Sequence, residues 1–406
     1  MTEAKKRKLN NEVYTCEYVL PKKNRRCKML WKKDVKYCSE HMIHDEKFQS
    51  ERIPCPYNSN HTIWKKELEQ HLLKCNEKPK EATEPWFDLN CNRDLKGVEK
   101  FELEQEEDSE DLVEKYISVL QGLSYEQLQF KVYHHDGLQS RLDEKTNQKH
   151  PIQQNSLIAN LKTMQLLNES FFYLEFGCGK GELLRYLNQC ILQQDPSESS
   201  TYGFGLIDRG KNRMKADSKI ILDCEQAPLT PQVKRSKIDI KDLNLDKFIA
   251  DLTIDKVVGI SKHLCGAATD LTLKLILNSS VLQNNRLGGV LIAMCCRHAC
   301  SLDHLLPQSR KYLYDHGFKT VQSFNVLKKL VSWAVDKKNE TEVDKYGLDF
   351  HQREGLGLVA RRLLDESRVH AVRSILGDDY NVEMFWYVEK EITLENVCLS
   401  ISKNQH

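Results

Sequence analysis

Leu174-Glu175-Phe176-Gly177-Cys178-Gly179-Lys180-Gly181-Glu182-Leu183-Leu184 closes an apolar run that starts at Phe171, and it turns apolar again after its glycines. Such a stretch reads as strand, tight loop and helix start. A dinucleotide-binding loop spaces its glycines G-x-G-x-x-G, so that the third lets the helix pack closely while its N-terminus faces a pyrophosphate. Here the third glycine comes one residue early, at Gly181, and Glu182 stands where that pattern wants glycine. A carboxylate there opposes a diphosphate. Glu175, at the strand end, offers its carboxylate to an ammonium group, while the loop amides and helix N-terminus suit a small anion. Ammonium and carboxylate together describe an amino acid moiety. The alternative is a glycine-rich turn that holds no ligand.

Further strand-like runs follow at Tyr202 to Ile207, Ser236 to Ile240, Lys256 to Ile260 and Gly288 to Met294, with helix-like stretches in most of the gaps. This alternation predicts an α/β domain, a parallel sheet with helices on both faces. Ligands then bind at the carboxyl ends of the strands. Asp208 ends one run and suits the two ribose hydroxyls of an adenosine. Asp242, within Asp239-Ile240-Lys241-Asp242-Leu243, suits the adenine amino group. Either carboxylate also suits a helix cap. The next run leads into Ser261-Lys262-His263-Leu264-Cys265-Gly266, and the last into Cys295-Cys296-Arg297-His298. Lys262, His263, Arg297 and His298 concentrate donors where a substrate phosphate or hydroxyl belongs. Cys295, Cys296 and Cys300 with a histidine are a candidate metal set, although adjacent cysteines in an apolar strand are more often core thiols.

Ahead of this domain, two ligand constellations lie back to back. Cys16, Cys27, Cys38 and His41 form the first, with His44 as an alternative to His41, and Cys55, His61, His71 and Cys75 form the second. Each supplies the four soft or borderline donors of a closed, structural zinc site, so two zinc ions are expected. His71 and Cys75 are four residues apart in a helix-like stretch, which puts both on one face. Basic residues interleaved with Tyr14, Tyr18, Trp31 and Tyr37 suit phosphates and stacked bases. Lys5 to Lys8 read equally well as a solvated tail or a nuclear import signal. The segment from Asn76 to Pro85 is polar and reads as a boundary. Acidic residues crowd Glu99 to Glu114, and Leu112, Val113, Tyr116, Ile117 and Leu120 recur at helical spacing. The expected domains are residues 1–48, 49–80, 81–150 and 151–406.

Over 406 residues, 60 Lys and Arg face 59 Asp and Glu, so net charge excludes no partner. The charge is uneven: twelve Lys or Arg lie before residue 37, against Glu3, Glu12, Glu17 and Asp34. No apolar run reaches membrane-span length and the start is charged rather than signal-like, so a soluble intracellular protein, nuclear or cytoplasmic, is expected. The fourteen cysteines lie beside histidines or in apolar strands, which suits a reducing compartment.

The E-x-G-x-G-x-G loop at 175–181 resembles the cofactor loop of class I (Rossmann-like) methyltransferases, which bind S-adenosylmethionine. Together with the two fingers, KHLCGAATDLTL (262–273), CCRH (295–298) and GLGLVARRLLDESR (355–368), it resembles the eukaryotic tRNA 2′-O-methyltransferases that modify nucleotide 4 of the acceptor stem. The second finger also resembles a type found in RNA splicing proteins. The resemblance implies S-adenosylmethionine-dependent methylation of a ribose hydroxyl in the tRNA acceptor stem. No obligate protein partner is evident in the sequence, and a monomer is expected. A-form RNA exposes its 2′-hydroxyls along a shallow minor groove, where shape and phosphate contacts suffice. On this reading Lys262 or His263 orients or deprotonates the hydroxyl, and Arg297 or His298 holds the neighbouring phosphate. Arg361, Arg362, Arg368 and Arg373 are expected to grip the backbone, the alternative being a helix face paired with Asp365 and Glu366. The Lys-Asp-Lys-Glu order of other ribose methyltransferases is not evident. An amino-group methyltransferase would favour Asn/Asp-Pro-Pro-Tyr/Phe where Ser261-Lys262-His263-Leu264 stands, and a non-catalytic RNA adaptor would have lost the cofactor loop.

Overall fold

A computed structural model describes residues 15–20, 25–27, 29, 35–75, 84–104, 111–144, 146–194, 201–210, 212, 215–225, 227, 229–335 and 343–404, side chains 58–60 aside. Lys5 to Lys8, Tyr14 and Trp31 lie outside them. The chain forms two compact units, Met1–Thr83 and Glu84–His406.

In the first unit a short hairpin pairs Val19–Leu20 with Arg25–Arg26. A second pairs Arg52–Cys55 with Asn58–Trp64 and leads through a single turn into the helix Leu68–Lys74. The expected boundary at residue 48 is bridged. Phe48 packs edge-on against Trp64, and the buried Arg52 donates to the Ser39 and Thr62 carbonyls.

The second unit is built on an eight-stranded sheet. Its strands are β1 (Gln129–Phe130), β2 (Phe171–Phe176), β3 (Gly203–Asp208), β4 (Gln232–Lys237), β5 (Lys256–Cys265), β6 (Leu287–Cys295), β7 (Tyr380–Trp386) and β8 (Val397–Lys403), in the spatial order 1-7-8-6-5-2-3-4. Strands β6, β5, β2, β3 and β4 are mutually parallel, and β8 runs antiparallel between β6 and β7. The order reverses between β2 and β5, which opens a crevice at their carboxyl ends.

Alternate residues of each inner strand serve opposite cores, as a pleat requires. Phe172, Leu174 and Phe176 face one layer, with Leu271 and Leu275 of α4 (Ala267–Asn278) and Val369 and Val372 of α7 (Phe350–Leu376). Tyr173 faces the other, with Leu157 and Leu161 of α2 (Lys149–Thr163) and Leu183 and Leu187 of α3 (Glu182–Leu192). A third cluster joins α1 (Leu112–Gln121), α5 (Pro307–Asp315), α6 (Val321–Trp333) and one end of α7. The expected helix over Leu112–Leu120 is α1, and Asp111 caps it.

Two expectations shift. The run placed at Ser236–Ile240 forms a strand four residues earlier, at Gln232–Lys237, because this is an edge strand whose charged residues need no second covering layer. Ile238 and Ile240 bury in the turn that follows. The expected linker, in turn, belongs to the sheet unit from Glu84 onward. Trp86 packs on Phe248 and donates to Ser236, and Asn92 donates to the Ile240 and Leu243 carbonyls. Among the described residues, no helix is long and apolar enough to cross a membrane.

Candidate active site and metal centres

The loop after β2 is held open from both sides. Gly177, Gly179 and Gly181 all take positive φ, and at Gly181 an added Cβ would stand 2.4 Å from Leu206, so glycine is required there. Arg235 donates to the Gly179 and Lys180 carbonyls and pairs with Asp217 at 2.8 Å, clamping the turn. The Gly179 amide donates to Asp208 at 2.7 Å, and Gly210 donates to the other Asp208 oxygen. Strand β5 is pinned to the same turn by Ser261, whose hydroxyl donates to the Phe176 carbonyl at 2.6 Å.

Two hollows meet at Gly177. One, of about 330 Å³, is lined by His150, Gln154, Glu175, Lys180 and Lys262. The other, of about 480 Å³, is lined by Asp208, Arg209, Asp239, Ile240, His263 and Leu264. Glu175 is buried, and its Oε2 has no hydrogen-bond partner. Burial pushes its pKa up to about 8, opposed by the Leu184 amide and by Lys262. An orphaned buried carboxylate oxygen beside a ring of loop amides fits the ammonium of an amino acid group. The wider hollow, with apolar walls and the Asp208 and Asp239 carboxylates at its edge, fits an adenosine.

Lys262 and His263 sit where the two hollows join. Lys262 Nζ lies 3.0 Å from His150 Nδ1, and burial lowers its pKa against the pull of Glu175. His263 occupies a bulge: Ala293 pairs with Lys262 and Met294 with Leu264, which skips the histidine, and its φ is +64°. A left-handed histidine in a strand is strained, and such strain clusters at working sites. Burial, then Lys262 and His150, push its pKa down to about 4. His298 is exposed on the turn after β6.

Three expectations are corrected. Asp242 does not reach the hollow: it is buried, accepts from the Asn90 amide at 2.7 Å and fastens the segment after Glu84. Asp239, three residues earlier, takes that place, because β4 ends earlier than the apolar pattern suggests. Arg297 cannot hold a phosphate, since its side chain is fully buried and pairs with Asp365 at 2.8 Å and with Glu395. Nor do the α7 arginines form an external grip. Arg361 pairs with Glu395, Arg362 with Glu366 and Arg368 with Asp270 at 2.8 Å, and Arg373 donates to the Val382 carbonyl. A helix carrying five arginines looks cationic in sequence, yet here Arg361 and Arg368 face inward and hold the helical layer to the strand ends. Arg297→Ala is therefore expected to cost about 3 kcal/mol of stability, because it leaves Asp365 buried without one of its charges. A fall in melting temperature checks this, and unchanged melting with weakened RNA binding would refute it.

His150, Gln154, Arg209 and Asp239 line the site without having been singled out. Only Asp239 lay inside a quoted motif. Cys300 sits in the helical cluster, apart from Cys295 and Cys296. Their partner is instead Cys265.

In the first unit both ligand sets converge. Cys16, Cys27, Cys38 and His41 bring their donor atoms within 4.8 Å of one another, as do Cys55, His61, His71 and Cys75. His44 is not in the first set, and its ring stacks on Tyr18. In the second set the sulfurs are 3.7 Å apart and the two imidazole nitrogens 3.3 Å. Those separations match the edges of a zinc tetrahedron, about 3.8 Å and 3.3 Å for ordinary Zn–S and Zn–N bonds.

A parallel sheet with an inserted antiparallel strand, a glycine loop after β2 and a carboxylate ending β3 define a class I methyltransferase fold. Residues 152–402 match the family model "Methyltransferase TRM13", residues 14–42 the CCCH zinc finger of TRM13 proteins, and residues 52–76 the U11-48K-like CHHC zinc finger. The chain belongs to the TRM13 methyltransferase family. Among curated relatives, the Debaryomyces hansenii protein named tRNA:m(4)X modification enzyme TRM13 is 51% identical over 98% of this chain and 95% of its own length. The Scheffersomyces stipitis protein of that name is 51% identical over 94% and 99%, and that of Saccharomyces cerevisiae 34% identical over 98% of each. A solved structure, the plantazolicin methyltransferase BpumL in complex with SAH, covers 66% of this chain and 89% of its own at 13% identity and a TM-score of 0.29.

Proposed function

We propose that the chain transfers a methyl group from S-adenosylmethionine to a ribose 2′-hydroxyl in tRNA, at nucleotide 4 of the acceptor stem. The observation that carries the donor half is the buried, partnerless Oε2 of Glu175, a residue that lines the hollow beside the glycine loop. The substrate half is supported by relatives, named tRNA:m(4)X modification enzymes, that align along nearly the whole chain with both fingers included.

Glu175 holds the amino group, Asp208 the ribose hydroxyls and Asp239 the adenine edge. S-adenosylmethionine supplies an electrophilic methyl carbon on sulfur. The remaining task, presenting a hydroxyl in line with that carbon, falls to the protein, and alignment carries most of the acceleration. Lys262 and His263 face the junction of the hollows and orient the hydroxyl. The basic fingers bind phosphates of the tRNA. Lys262→Ala and His263→Ala are each expected to slow single-turnover methylation of unmodified tRNA at saturating donor by about a hundredfold. Near-normal rates in both would remove them from the reaction.

A further inference from the structure

The turns that follow β5 and β6 gather three sulfurs beside the cleft. Cys265 and Cys295 stand opposite each other in the parallel pair, their sulfurs 2.9 Å apart, and the Cys296 sulfur lies within 4.8 Å of both. Cys265 is exposed and lines the adenosine-side hollow, Cys296 is half-buried and Cys295 is buried.

Adjacent residues of an extended strand point to opposite faces, so Cys295 and Cys296 should diverge. They do not, because Cys296 takes φ +47°, a left-handed conformation that strains a residue with a side chain. The two turns are also sewn together. The Gly266 amide donates to the Cys295 carbonyl at 3.1 Å, and a Cβ on Gly266 would meet the Ala299 oxygen at 2.6 Å. The Cys296 amide donates to Glu395, which in turn pairs with Arg297 and Arg361. A disulfide would occupy two of the sulfurs and leave the strained turn that delivers the third without a purpose.

We infer that Cys265, Cys295 and Cys296 form a third metal centre, a tris-thiolate site for a soft divalent cation of the zinc type, open at its fourth position toward the cleft. Thiolates select such ions. Three protein ligands with one position left to water distinguish this centre from the closed sets of the fingers.

The full-length protein, purified under reducing conditions from zinc-supplemented medium, is expected to carry three zinc ions per chain by elemental analysis and native mass spectrometry, one for each ligand group. Cys295→Ser and Cys265→Ser are each expected to carry two. After exchange with cobalt(II), the sulfur-to-cobalt charge-transfer absorption should fall in both variants by the same share. Should the buried Cys295→Ser fail to fold, Cys265→Ser, at an exposed position and checked by thermal melting, carries the test alone. Two zinc ions in the wild type, with all three thiols alkylated in the folded protein or with a Cys265–Cys295 cross-linked peptide, would overturn the site. So would a third ion that survives the double serine variant. The zinc count needs neither methyl donor nor tRNA, so its failure leaves the methyl-transfer reading untouched, and the reverse holds too.

Discussion

Glu175→Gln is expected to weaken S-adenosylmethionine binding by about a hundred- to a thousandfold without destabilising the unliganded protein. The affinity loss follows from removing one partner of a desolvated charge pair, which costs about 2–5 kcal/mol. The stability half follows from the raised pKa. Between about 4.5 and 8 the folded protein holds a proton on Glu175 that the unfolded chain gives up. Stability therefore falls as pH rises through that window, since unfolding is favoured wherever the unfolded state binds fewer protons. Glutamine removes that cost. In the wild type, donor binding below pH 8 must expel the Glu175 proton, so affinity should rise toward pH 8, then fall as the donor's own α-amino group, with a pKa of about 7.7–8.0, loses its charge. Isothermal calorimetry across pH 6–9, with thermal melts of the same samples, checks both halves. A Gln variant that binds as tightly as the wild type, or that keeps the rise in affinity toward pH 8, would take Glu175 out of the donor site.

His71→Ala carries the largest structural effect. Among the described residues of the CHHC finger only Arg52, Cys55 and Ile63 are buried, and structural zinc contributes about 10–16 kcal/mol to such small folds, more than these contacts replace. One zinc ion should be lost and residues 52–75 should lose protection from hydrogen exchange. The turn around Ser39, tied to Arg52 and Thr62, should loosen with them. Because Glu84–His406 is a separate compact unit, donor affinity should be unchanged, while tRNA affinity falls by about tenfold or more and its salt dependence flattens as phosphate contacts are lost. Filter binding at several salt concentrations measures this. Undiminished tRNA affinity in the zinc-depleted variant would mean that the finger does not touch RNA.

The glycine loop was legible because its signal is local. Gly177, Gly179 and Gly181 with Glu175 lie within seven residues, and the departure from dinucleotide spacing already chose the ligand class. The zinc sets were legible for the same reason. What escaped depends on burial or on contacts distant in sequence. Asp242 was singled out and Asp239 was not, because apolar Ile238 and Ile240 imitated the end of a strand whose real residues, Gln232–Lys237, are polar at the sheet edge. Arg297, Arg361 and Arg368 look like surface cations until Asp270 and Glu395, from distant parts of the chain, and Asp365 of α7 close around them. Cys265 meets Cys295 only because two parallel strands lie side by side in one register. His150 reaches Lys262 from a helix that precedes the glycine loop, and nothing in its neighbourhood marks it.

Strand β8 is the last element of the sheet, yet it lies between β6 and β7. During synthesis, the edge of β6 thus stays uncovered until residues 397–403 have left the ribosome, and the hydrophobic layers on both sides cannot close before then. The finger unit, complete after its first eighty residues, needs only metal and can mature early. The nascent chain would thus hold zinc well before its sheet could close, and the interval between those events would be the time when its open sheet edge most needs a chaperone.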